Sequence, residues 1–261
     1  MVTGTEGAGM NGRGRFVVLE GGDGVGKTSL AGRLGDARYE DVAPDIPGWA
    51  ASRSAGGRVF VSRRQISGVS AYAGKLMDHL ATVLWHSGDS ADLPDSFWVS
   101  LQASWFSAHG STVVEPLVAA GIDVIVDGWI YKLWSKLLIQ GYRLPELETM
   151  FGRVLRPDLV VLLDADAEIL FDREQRTFRP SELGMHASYT ELNRATFVEY
   201  QRGGMDNLRD FAGKFGWATM KVGPAESVEG TTERVRSCLG THDRPPKGGT
   251  ARTMTDQENP R

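Results

Sequence analysis

Residues 16–34 read Phe-Val-Val-Leu-Glu-Gly-Gly-Asp-Gly-Val-Gly-Lys-Thr-Ser-Leu-Ala-Gly-Arg-Leu, and the rest of the chain is arranged around them. The apolar run Phe16–Leu19 has the character of a buried parallel strand. It leads into Gly21-x-x-x-x-Gly26-Lys27-Thr28, followed by a helix-permissive segment from Ser29 to Leu34. Strand, glycine-rich loop and helix in that order form a phosphate-binding loop. A phosphate chain carries several negative charges and needs many donors at close range. Gly21, Gly22, Gly24 and Gly26 allow positive φ and turn successive N–H groups inward, around Asp23 and Val25. The helix that opens at Lys27, Thr28 and Ser29 adds the positive end of its dipole. Lys27 can reach the β- and γ-phosphates of a nucleotide, and the Thr28 hydroxyl can ligate Mg²⁺.

The chain has 261 residues, 41% apolar and 24% charged, with a net charge of −4. These values are those of an ordinary soluble globular protein, and one phosphate loop with alternating strands and helices favours one domain. The charge balance lacks the basic footprint of a nucleic-acid binder, so no nucleic-acid partner is expected. The one cysteine, Cys238, excludes an intrachain disulfide and fits a reducing cytosol. Met1–Arg13 has no apolar core of a signal peptide and reads as a disordered extension, and no apolar run is long enough to span a bilayer. The stretch 240–261 carries Pro245-Pro246 and Gly248-Gly249 with almost nothing apolar, and reads as a disordered tail. A cytoplasmic location with no membrane contact follows as the expectation.

Further along, Asp36–Gly57 reads as a loop or insertion, and Arg58–Ser62 as a short strand that delivers Arg63 and Arg64 to its C-terminal end. Ligands gather at that edge of an open parallel sheet. Helical spacing runs over 67–85, with Leu76, Leu80, Val83 and Leu84 on one side, and over 97–120. A strand over 121–126 ends at Asp127-Gly128-Trp129, and a helix covers 130–139. After a helix over 144–156, the apolar strand 159–163 ends at Asp164-Ala165-Asp166. A helix over 168–176 and a polar segment to Ser188 precede an amphipathic helix over 189–211, interrupted near Gly203-Gly204. Strand 218–222 and helix 227–239 close the pattern. Five strands alternating with helices imply a three-layer α/β domain with a five-stranded parallel sheet.

On these landmarks, residues 14 to about 239 resemble the thymidylate kinase branch of the nucleoside monophosphate kinases. The first block, 14–28 with Asp23 inside it, carries the resemblance most specifically. Ala73-Gly-Lys-Leu-Met-Asp-His-Leu80 and Pro157-Asp-Leu-Val-Val-Leu-Leu-Asp164 are similar to later family blocks in order and spacing. The resemblance implies a P-loop NTPase fold with a helical lid at about 168–190, and ATP-dependent phosphoryl transfer assisted by Mg²⁺. The acceptor is then a nucleoside monophosphate, most simply dTMP. It places Asp23 at the acceptor's sugar or phosphate, Arg63 on the acceptor phosphate, and Asp127, with Thr28, at the Mg²⁺ site. One of Arg173, Arg176 and Arg179 would clamp the transferring group. A homodimer is a further expectation, since relatives of this kind commonly form one.

The chain also departs from the family pattern. Gly128 stands where the family triplet has an arginine, and Arg64-Gln65-Ile66-Ser67 replaces a Glu-Pro-Gly-Gly. Arg64 is a candidate for the lost cation. The helix that presents an aromatic and an arginine to thymine reads Gln102-Ala-Ser-Trp105-Phe106-Ser-Ala-His109 and holds no arginine. Trp105, Phe106 and Trp129, with Trp98 and Trp134, either wall an aromatic acceptor pocket or pack the core. Asp164 and Asp166 either assist Mg²⁺ or cap the next helix. Three other functions stay open: a kinase for a modified nucleotide, a deoxynucleoside kinase, and an ATP-binding regulatory module without a small-molecule acceptor.

Overall fold

The strand Phe16–Gly21 (β1) alternates its side chains between two helical layers, as a period of two demands. Phe16 and Val18 pack into one core, Val17 and Leu19 into the other. The computed structural model describes residues 12–53, 57–86, 92–173, 178–189 and 191–241. β1 sits inside a parallel sheet flanked by β4 (Asp123–Val126) and β5 (Leu159–Asp164), with β3 (Arg58–Val61) beyond β4 and β6 (Ala218–Lys221) beyond β5. The sheet has six strands, not five. The extra one, β2 (Ala37–Arg38), pairs two residues of the expected insertion with β3 at the edge, giving the order β2-β3-β4-β1-β5-β6. A two-residue strand has too little pattern to show in sequence. The rest of that insertion holds the short helices α2 (Tyr39–Val42) and α3 (Ile46–Ala51). The three-layer α/β architecture is as expected.

Helix α1 (Lys27–Leu34) covers one face together with α11 (Val228–Thr241). The other face carries α5 (Asp95–His109), which runs on through a π-helical turn into α6 (Glu115–Ala119), and α7 (Ile130–Ile139). Helix α4 (Ala71–Ala81) buries Met77 and Ala81; of the expected apolar side, Leu80 and Leu84 pack against the core, whereas Leu76 is 57% exposed and Val83 40% exposed. Helix α8 (Leu144–Met150) is shorter than the expected 144–156, and turns follow it.

After β5 come α9 (Ala167–Arg173) and, beyond 174–177, turns with a single 3₁₀ turn at Met185–Ala187, so the described part of the expected lid is mostly non-helical. Helix α10 (Arg194–Phe215) runs unbroken through Gly203-Gly204. Both glycines face α7: a Cβ at 203 would be tight, 3.3 Å from Ile139, whereas one at 204 would make ordinary contact, 3.6 Å from the Ser135 hydroxyl. Helix α11 extends to Thr241, past the start of the expected tail, while 1–11 and 242–261 lie outside the described residues. Asp164 is 3% exposed and bonds Arg209 (2.7 Å) and Lys221 (2.5 Å), which makes it a clamp between β5, β6 and α10. Among the described residues no helix is long and apolar enough to cross a membrane.

Leu162 is fully buried in the centre of the sheet. Replacing it with alanine leaves a cavity, and the expected loss of unfolding free energy is about 2–5 kcal/mol in chemical denaturation.

Candidate functional site

The C-terminal ends of β1, β3 and β4 converge where the strand order reverses around β1, the edge at which open α/β sheets bind ligands. The loop glycines divide in their roles. Gly21 (φ +149), Gly24 (φ +81) and Gly26 (φ +91) adopt the positive φ expected of them, whereas Gly22 does not. Gly22 is needed for space instead, since a Cβ there would lie 2.3 Å from the Leu170 side chain. Gly24 makes the left-handed turn at the crest of the loop and is half-buried, between the buried Asp23 and Val25. Gly26 is the N-cap of α1 without a side-chain cap, so no cap side chain takes up the first-turn N–H donors. Val25 is buried in the core beneath the loop, and its side chain anchors the backbone that turns above it. The Lys27 ammonium lies within the loop and donates to the carbonyls of Gly21 (2.9 Å) and Gly22 (2.7 Å). Thr28 and Ser29 are exposed at the mouth of the helix.

Asp127 joins the loop to the next strand. Its carboxylate accepts the Thr28 hydroxyl at 2.6 Å and the Arg63 backbone N–H at 2.8 Å. A hydroxyl and a carboxylate held together beside a phosphate loop are hard oxygen donors of the kind Mg²⁺ takes while keeping waters and phosphate oxygens as its other ligands, so the donor set fits that ion. Gly128 has φ +130, and a Cβ there would lie 3.5 Å from Arg63 Cδ, 3.8 Å from Arg63 Nη1 and 3.9 Å from Lys27 Cε. A Cβ at 128 would therefore sit in ordinary contact beside Arg63 and Lys27, and it is the positive φ, not lack of space, that favours glycine there.

Beside the loop lies a cavity of about 640 Å³, to which the loop contributes Asp23 but not Gly24 or its other glycines. Arg63, Arg64, Lys132, Lys136 and Arg179 line the cavity against Asp23, Asp95 and Glu182, an excess of two positive charges. Burial, then the neighbouring Arg63 and Arg179 charges, pull Arg64 down to about 10, and its guanidinium stands 5.5 Å from the Trp85 ring centre. Phe106 and Trp129 contribute walls; both are nearly fully buried otherwise. Trp105 does not line the cavity. It is fully buried, and its indole N–H donates to the Arg63 carbonyl at 3.0 Å, holding the backbone that carries the arginine. Trp134 also packs in the core. Of the three lid arginines, Arg179 reaches the cavity and donates to the Trp85 carbonyl at 2.8 Å. The Arg173 side chain and all of Arg176 lie outside the described residues.

Three groups escaped the sequence reading. Lys132 and Lys136 flank Asp23: Lys132 makes an ion pair with one carboxylate oxygen, Lys136 reaches the other at 3.2 Å, and the Gln201 amide adds a bond at 3.1 Å. Burial by itself would raise the Asp23 carboxyl, but the Lys132, Lys136 and Lys27 ammonium charges outweigh it and hold the group well below the usual carboxylate range. The signal was present: two lysines four apart in the otherwise apolar helix Ile130–Ile139 lie on one face and are not a solvated surface. The third is Glu20, fully buried in β1, which accepts the Trp129 N–H at 2.9 Å and is raised by its burial. A carboxylate closing an apolar strand was its only mark.

His109 is fully buried behind the site, with Nε2 at 2.9 Å from the Ser62 carbonyl, and burial lowers it to about 4. The folded state therefore refuses a proton that the unfolded chain accepts below about 6.5. Stability from this group is full above pH 6.5 and falls until about pH 4, by about 3 kcal/mol in all. The unfolding free energy of His109→Phe is expected to lack that portion of the pH dependence. Gly128→Ala forces a side chain into a backbone region kept by glycine, with an expected cost of about 1–3 kcal/mol measured by thermal or chemical unfolding.

The chain matches no protein-family model. Among curated proteins, it is 30% identical over 197 residues to the thymidylate kinase of Clavibacter michiganensis, covering 71% of this chain and 80% of that protein. The thymidylate kinases of Bradyrhizobium diazoefficiens (171 residues) and Nitrobacter hamburgensis (169 residues) are each 30% identical to it, over 62% of this chain. The chain spans just under two thirds of the length of those two, 64% and 63%. With its phosphate loop, its parallel sheet and this level of identity over four fifths of the Clavibacter protein, the chain belongs to the thymidylate kinase family.

Proposed function

We propose that the protein transfers a phosphoryl group from ATP to a nucleoside monophosphate, with dTMP the simplest acceptor. The observation that carries this reading is the position of the cavity: it opens beside the loop of Lys27, has aromatic walls and holds an excess of two positive charges, the complement of a phosphate dianion. A neutral nucleoside would leave those cations uncompensated, which weighs against a deoxynucleoside kinase. A regulatory module would not need a cavity of this size and charge beside its nucleotide site.

Phosphoryl transfer needs little covalent help, so positioning and charge carry it. In this reading the loop N–H groups of 21–29, Gly24 at the crest among them, and Lys27 hold the ATP phosphates. Mg²⁺, when bound at Thr28 and Asp127, neutralises charge on the phosphate chain. Arg63 and Arg64 orient the acceptor phosphate in line, Phe106 and Trp129 face the base, and Arg179, of the three lid arginines, stands where it reaches the transferring group. The segment around 178–189 closes the cavity from water, which would otherwise compete as acceptor. The same reading implies a small-molecule partner and a cytoplasmic location.

A second reading, a kinase of this scaffold with a different nucleotide acceptor, draws on Phe106 and Gln102. Both line the cavity in the helix where the family presents an arginine and an aromatic to thymine, and neither carries a charge to the base.

The test is ATP consumption with Mg²⁺ against dTMP, dUMP, dCMP, thymidine and no acceptor. Selective stimulation by dTMP is the expected outcome, and stimulation by thymidine alone would replace this reading with a nucleoside kinase. Lys27→Ala is expected to lower turnover on the order of 100-fold or more with an unchanged circular-dichroism spectrum. Near-full activity in that variant would remove the loop from the mechanism.

A further inference from the structure

We infer that Lys132 grips the acceptor's phosphate beside Arg63 and Arg64, where position 128 supplies no arginine; this rests on the kinase reading above and assigns a further cation at its acceptor site. Three observations converge. The first is backbone: Gly128 has φ +130, a conformation that L side chains rarely adopt, so the cations that reach the acceptor come from other positions. The second is placement. Lys132 lines the cavity, is 7% exposed, and sits one turn into the helix that follows Asp127. Its charged neighbours are Asp23 of the phosphate loop, Lys27, Lys136 and Arg63, the groups that surround the expected path of transfer.

The third is valence. A lysine ammonium has three donors in one compact charge. The Asp23 carboxylate takes one donor of Lys132, and the Ser135 hydroxyl bonds the Lys132 carbonyl and leaves the ammonium untouched. An ammonium with Asp23 as its one acceptor among the described residues has donors left, and a phosphate in the cavity supplies the acceptors. The Asp23 pair need not break. That carboxylate also keeps Lys136 and the Gln201 amide, so it acts as a fixed anchor that aims the Lys132 ammonium at the cavity. A surface lysine would spend rotamer entropy on each binding event, whereas this one is ordered beforehand. The bland alternative is that Lys132 only neutralises Asp23. In that case, its removal weakens every ligand or none, irrespective of whether the ligand carries phosphate.

The experiment compares equilibrium binding of dTMP, 2-deoxyribose 5-phosphate and thymidine to the full chain by tryptophan fluorescence, for wild type, Lys132→Met and Lys132→Arg. The expected result for Lys132→Met is a loss on the order of 30-fold for both phosphorylated probes and a change within about twofold for thymidine and ATP. Lys132→Arg is expected to recover most of the phosphate affinity. Equal losses for phosphorylated and unphosphorylated probes, or no loss for either, overturn the assignment. If Lys132→Met does not fold, the wild-type protein labelled with ¹⁵N-lysine gives the same answer. The Lys132 side-chain resonance is expected to shift with dTMP and not with thymidine, and the opposite pattern overturns it. Failure of the kinase reading shows separately. Wild type that binds 2-deoxyribose 5-phosphate through Lys132 but never phosphorylates it or dTMP keeps the grip and loses the reaction.

Discussion

The site depends on one buried carboxylate. Asp23 lies between the phosphate loop, α7 and α10, and is 9% exposed. Its two oxygens bond Lys132, Lys136 and Gln201, and its own N–H donates to the Gln201 side-chain oxygen at 3.2 Å. A lone charge at this depth would be expensive, and it is tolerated because both carboxylate oxygens have donors and two of these are cations. Breaking such a set by removing one partner costs far more than any exposed ion pair contributes. The arrangement also reaches the segment 178–189: the Gln201 amide donates to the Glu182 carbonyl at 3.2 Å, so the same side chain touches the loop and a residue that lines the cavity.

A second carboxylate organises the other side. Asp127 uses both oxygens to tie the end of β4 to α1 through Thr28 and to the end of β3 through Arg63. Glu20 and Trp105 reinforce this from below, one bonding the Trp129 N–H and the other the Arg63 carbonyl. The reactive edge of the sheet thus consists of short polar bonds standing on two apolar cores. A phosphate ligand entering such a site meets donors already fixed in place, which is the condition for charge stabilisation without reorganisation.

Much of the fold was legible because its signals are local. The apolar runs of β1 and β5, the alternation of strands and helices, and helix 130–139 follow from periodicity alone. The misread places are those where tertiary contact overrides it. Gly203-Gly204 looked like a break but lets α10 approach α7, and Leu76 looked like core but is exposed because Met77 turns inward instead. Gly22 looked like a fourth positive-φ turn and is instead a close approach to Leu170. Strand β2 has two residues and is held by its neighbour rather than by its own pattern. In the site, Lys27, Thr28, Asp127 and Arg63 could be picked out from spacing at strand ends. Lys132, Lys136 and Glu20 were marked only by standing in apolar elements, and their purpose waited on their partners, which lie on other elements.

The amino-acid sequence by itself determined the phosphate loop, the sheet type and the family, because these rest on local blocks and on the order in which they follow one another, and within each block backbone sterics and hydrogen bonding set the outcome. Only the tertiary structure decided what faces the cavity. Lys132 meets Asp23 across 109 positions, Gln201 meets it across 178, and Trp105 meets Arg63 across 42. Such pairings depend on how layers of helix and sheet close over one another to bury apolar surface, a property of the whole chain that no local spacing encodes. That closure turned Trp105 from a candidate ligand contact into a support, and Lys132 from an unmarked lysine into a charge held at the site.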